Sequence, residues 1–100
     1  MKPVAVLAEA AEDIELARDF YDTQELGVGD YFADSILTDI ESLTLYHGIH
    51  QRCFGLHRML AHRFPFGIYY RETKSETQVL AVLDLRRDPN WIRKELSWRD

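Results

Sequence analysis

Apolar positions along the chain change their spacing twice. Pro3 to Leu7 is a short apolar, β-branched run that begins on a proline, which predicts an edge strand. From Ala8 the period lengthens: Ala10, Ile14, Ala17 and Tyr21 recur at steps of three or four, one face of a helix. Glu9, Glu12, Asp13 and Glu15 crowd its first turns, where carboxylates meet the positive end of the helix dipole. Gly27 and Gly29 in "ELGVGD" predict a stop and a turn, and Asp30 is placed to cap a second helix. Phe32, Ile36, Ile40 and Leu43 carry that helix's apolar face, so the two form an antiparallel hairpin. Residues 46–55 show no period and read as a loop.

The spacing then falls to two. Residues 56–63, 66–73 and 78–86 read as strands joined by Phe64-Pro65 and by "TKSE" at 73–76. Val79 to Leu83 is apolar on both parities, the mark of a strand covered on both faces. Asp88-Pro89 supplies a cap and a first-turn proline for a last helix through about Leu96. The expected fold is a single α+β domain over 1–100. It has two layers: an N-terminal strand and an antiparallel helical hairpin packed on an antiparallel sheet (β-α-α-β-β-β), with a short C-terminal helix.

Charge divides the chain. The net charge is −5, but residues 1–46 carry eleven acids and two bases, and residues 47–100 carry ten bases and six acids. Only the second half is a candidate surface for an anionic partner, and no direct binding of free nucleic acid is expected. No apolar run is long enough for a membrane span, and too few apolar residues follow Met1 for a signal peptide. Cys53 is the only cysteine, which excludes an intrachain disulfide and suits a cytoplasmic protein.

In the strand over 66–73, Phe66, Ile68 and Tyr70 share one face, which the helices are expected to cover. Gly67, Tyr69 and Arg71 share the other. The expectation is an outward docking face on which Tyr69 and Arg71 act as contact anchors. Arg86 and Arg87 are expected to anchor the chain or a partner, with Asp84, Asp88 and Glu72 as nearby acids. Trp91 directly follows the cap and is expected in the core. Trp98, near the end, is expected to be frayed or held by a partner.

Four stretches, "AEAAEDIELARDFYD" (8–22), "GVGDYFADSI" (27–36), "HRMLAHRFPFGIYYRE" (57–72) and "VLAVLDLRRDPNWI" (79–92), together resemble the RelE/ParE family of toxins from type II toxin–antitoxin, plasmid-stabilisation modules. The resemblance implies a cytoplasmic toxin neutralised by a cognate antitoxin that wraps a helix and an extended segment around it. It leaves the target open. ParE-like members bind and inhibit DNA gyrase, RelE-like members cut messenger RNA on the ribosome, and a non-toxic binding module could keep the same fold.

Cleaving RNA without a metal needs a base, a cationic cradle and an acid. The candidates are Arg58, Arg63, Arg71 and Arg86, with His57 or His62 moving protons. No lysine lies on the candidate strands, and the C-terminal segment holds no Tyr or His. The inventory therefore favours the ParE-like reading, and no cofactor is expected. His47, His50 and Cys53 stand three apart, but three ligands without a fourth do not define a zinc site, so no metal is expected.

Overall fold

The helical spacing closes into a hairpin of α1 (Ala8–Gln24) and α2 (Val28–Glu41) in the computed structural model, which describes residues 2–100. Ala10 and Ile14 of α1 meet Phe32, Ile36 and Ile40 of α2 in the core. Gly27 takes the left-handed backbone (φ 94°) at the turn, a conformation that favours glycine. Asp30 is not the cap. It lies in the first turn of α2 and pairs with Arg18 at 2.5 Å. The free N–H groups of Gly27 and Gly29 donate to Asp22 Oδ1 at 3.2 and 2.8 Å, so the last full turn of α1 caps α2.

Gly29 is also the point of closest approach. A Cβ there would sit 2.4 Å from the Arg18 carbonyl oxygen. Gly29→Ala must push the helices apart, and we expect a loss of about 1–3 kcal/mol, the usual cost of overpacking. Urea denaturation measures it; an unchanged midpoint would contradict the contact.

After α2 come a single turn, α3 (Leu43–Tyr46), and four strands: β2 (Arg52–Cys53), β3 (Leu56–Leu60), β4 (Phe66–Glu72) and β5 (Thr77–Asp84). The region expected to be a loop therefore contains β2. It forms a tight hairpin with β3, its Phe54 and Gly55 both at positive φ as a two-residue turn requires. With β1 (Val4–Val6) the sheet order is β1-β5-β4-β3-β2. The sheet is mixed: β2 to β5 are antiparallel, while β1 pairs parallel with β5. Between β1 and β5 the chain runs through the helical hairpin and then β2 to β4, ample length for a parallel pairing.

Phe64-Pro65 makes the β3–β4 turn. Phe66 N–H donates to Phe64 O at 2.7 Å around the proline, and Leu85 N–H donates to Pro65 O at 2.8 Å. Phe64 folds back onto Phe32 (ring centroids 4.9 Å) beside Tyr21, joining strand turn and helices.

Between Tyr69 and Tyr70 the β4–β5 register slips: Tyr69 faces Ala81, Tyr70 faces Val79, and Leu80 is the extra residue of a β-bulge. On one face Ile68, Tyr70, Val79 and Val82 pack against α1 and α2. On the other, Leu56, Tyr69, Leu80, Ala81 and Leu83 pack against Ile92 and Leu96 of α4 (Pro89–Arg99).

This second core corrects the expectation of an open docking face. The face of Gly67 and Tyr69 is not open, because α4 folds back over it. Tyr69 is 1 % exposed and therefore no surface anchor as the chain stands. Asp88 begins α4 as expected, its side chain accepting from Asn90 N–H at 2.8 Å, with Pro89 in the first turn.

Candidate functional site

β1 stops early, so β5 beyond Val79 has no strand neighbour on that side; Leu7 N–H to Val79 O, at 3.0 Å, is the last rung. Side chains take over. Asp13 of α1 accepts from Val82 N–H at 2.9 Å, and Arg99 of α4 donates to Leu80 O at 3.2 Å. The two side chains join each other through Nη1–Oδ2 at 2.5 Å and Nη2–Oδ1 at 2.9 Å, and Glu95 accepts from Arg99 at 2.8 Å. Arg99 keeps only 7 % of its side chain exposed. The hydrogen bond to Asp13 is the main cause of its raised pKa.

Above this tie α1 and α4 diverge and leave a groove of about 590 Å³. Leu16 and Phe20 form one wall, both well exposed, and Trp91 the other; Val82 and Leu83 form the floor. Arg86 and Arg87 stand at one end. Arg86 is held on Asp84 by a fork (Nη2–Oδ2 2.7 Å, Nε–Oδ1 3.0 Å), and Asp84 also accepts from Arg86 N–H at 2.9 Å. The Arg86 side chain is the main cause holding the Asp84 carboxyl below the usual range. Arg87 makes no ion pair among the described residues. Its guanidinium lies 3.7 Å from the centre of the Trp91 ring, a cation–π contact. The site is an apolar trough with fixed positive charge at its mouth.

The nuclease candidates do not converge. Arg71 faces Gln78 across the β4–β5 ladder, six residues of β5 from Asp84, or roughly 20 Å of strand. Arg71 and Arg86 therefore mark opposite ends of the sheet. Arg71 donates to Gln78 Oε1 and Asp100 Oδ1, each at 2.9 Å. Arg58 lies mid-sheet on the α4 side, against the space above Gly67, with its Nε buried and unpartnered. His57 is on the other face, stacked on Tyr70 at 5.0 Å. His62 donates its backbone N–H to buried Asp39, and its Nδ1 lies 2.6 Å from the same carboxylate. Arg63 is exposed in the β3–β4 turn.

Of the docking candidates, Arg86 and Arg87 line the groove, Trp98 is 84 % exposed on α4, and Tyr69 is buried. Trp91 is half-buried against the second core, less enclosed than expected. His47, His50 and Cys53 part company: His47 pairs with Glu72 at 3.1 Å, His50 meets Tyr70 at 2.5 Å, and Cys53 packs into the second core. Asp13 and Arg99 escaped the sequence reading, since partners 86 residues apart leave no local signal. Among the described residues no helix is long and apolar enough to cross a membrane.

No protein-family model matches the sequence, and no curated protein does. A solved structure described as "Chromosomal ParDE TA system from P. aeruginosa" is similar in fold. Its TM-score is 0.74 at 20% sequence identity, over 82% of this chain and 94% of that one. That likeness is one of architecture: the chain shares the α+β fold of that structure, with an open groove between its first and last helices.

Proposed function

We propose that this chain is the toxin of a type II toxin–antitoxin module, of the ParE-like kind that acts by binding DNA gyrase and not by cutting RNA. The observation that carries the reading is the fold shared with a ParDE system structure over most of both chains. Its choice of target is supported by the strand register, which scatters Arg58, Arg63, Arg71, Arg86, His57 and His62 over both faces and both ends of the sheet. Phosphodiester cleavage needs its base and cations around one phosphate. The cell compartment is the cytoplasm.

The antitoxin segment that neutralises the chain lies in the α1–α4 groove. It is amphipathic, with apolar side chains against Leu16, Phe20 and Trp91 and acids toward Arg86 and Arg87. Arg87 is the more available charge, because Asp84 already holds Arg86. Arg87→Glu should weaken the complex about tenfold or more, with slower association and a changed salt dependence, and an unchanged Kd removes Arg87 from the interface. For the target, the free protein should block supercoiling by purified gyrase. Full activity at excess protein, or codon-phased cuts in messenger RNA on induction, would overturn the ParE-like assignment.

A further inference from the structure

The segment from His47 to Gln51, between α3 and β2, is pinned by one buried phenol. Tyr70 is fully buried in the first core, with its hydroxyl under this segment. Gly48 N–H donates to that hydroxyl at 2.9 Å, and His50 Nδ1 lies 2.5 Å from it. His57 stacks flat on the Tyr70 ring, its Nδ1 is 2.8 Å from His50 O, and its Nε2 faces the Arg52 guanidinium at 3.4 Å. Arg58 N–H donates to Gln51 O at 2.8 Å and closes the segment onto β3.

These contacts set the proton on His57 and favour one arrangement at His50. A carbonyl only accepts, so His57 carries its proton on Nδ1. Arg52 only donates, so His57 Nε2 must be a bare acceptor. The Tyr70 oxygen accepts from Gly48, and in the closed arrangement its own proton goes to a bare His50 Nδ1. A proton added to His57 would point at a guanidinium. A proton added to His50 Nδ1 would face the phenol O–H and turn it away from the imidazole. The carboxylates on adjoining elements are already engaged: Glu72 with Lys2 and His47, Asp39 with His62.

We propose that His50, Tyr70 and His57 form a proton-operated latch, closed while the His50 imidazole is neutral, which releases the 47–51 segment on acidification. Release bares the Tyr70 hydroxyl and opens the adjoining groove of about 530 Å³, lined by Tyr46, Ile49, Leu60 and His62, along the edge of β3. The inference stands on these contacts and not on the proposed target. Burial first, then the nearby His57, lowers the His50 pKa from its ordinary 6.5. The sign follows: latch stability is complete above the unfolded His value and is lost as pH falls from there toward the folded one.

Amide exchange on the intact labelled chain tests this between about pH 7.5 and pH 5. After correction for intrinsic rates, Gly48 should lose protection by up to about tenfold per pH unit below the ordinary His value, while β4–β5 core amides stay protected. The double variant His50→Asn/His57→Asn keeps an acceptor and a donor where the two Nδ1 atoms stood, but cannot titrate; its Gly48 protection should be flat. Ring-proton NMR of the wild type is the second readout and needs no variant: His50 should titrate below 6.5. Flat wild-type protection, persistent pH dependence in the double variant, or a His50 pKa at or above the ordinary value would each overturn the latch.

Discussion

Replacing Arg99 with alanine should cost this protein about 3–5 kcal/mol, the range for removing one partner of a buried ion pair. The loss is large because three groups lose their partner together. Asp13 keeps a largely buried charge with only Val82 N–H to bond it, Leu80 O loses its donor on the open side of β5, and Glu95 loses its neighbour. Arg99→Lys should fall between, since an ammonium keeps the charge but cannot span both Asp13 oxygens. Urea denaturation gives the magnitude, and exchange at the Val82 amide locates it. A shift under about 1 kcal/mol would mean that α4 is held by Ile92 and Leu96 alone. For a domain of 100 residues the expected loss is a large share of total stability.

Tyr69→Ala should be at least as damaging, at about 3–5 kcal/mol, because it removes a full ring from the second core. Tyr69 sits beneath α4 among Leu56, Leu80, Leu83, Ile92 and Leu96. Burial pushes its phenol pKa up, against the pull of Arg58. Tyr69→Phe keeps the ring and should cost no more than about 1 kcal/mol, since only the hydroxyl and its interaction with Arg58 are lost. Equilibrium denaturation of the pair separates packing from polarity. Were Tyr69→Ala as stable as wild type but weaker toward a partner, Tyr69 would belong on an open docking face after all.

Local spacing made most of the architecture legible. The steps of three and four in Ala10–Tyr21 and Phe32–Leu43 set the hairpin, and Asp88-Pro89 set the start of α4. The covered face of β4 was legible too, but one strand over. Val79 to Leu83 is apolar on both parities, and Ala81 stands opposite Tyr69, so cover over one is cover over the other. Alternation in β4 alone hid this, because a tyrosine satisfies a wet face and a core equally well.

What stayed out of reach was long-range. Three residues of β1 carry no information on which strand they join or in which direction. Asp22 caps a helix that begins after it, and Asp13 meets Arg99 across nearly the whole chain. At the groove, sequence proximity put Asp84, Asp88 and Glu72 near the arginines without choosing among them, whereas the trough itself needs α1 and α4 placed in space.

The extra residue at Leu80 carries one more implication. It lets odd-numbered Val79 and even-numbered Val82 point the same way, while Leu80 and Ala81 between them both face α4. Deleting or inserting one residue between them would rotate half the strand and turn its contributions to the two layers inside out. In this stretch the count of residues is as tightly constrained as their chemistry, and any close relative should vary its letters long before its length.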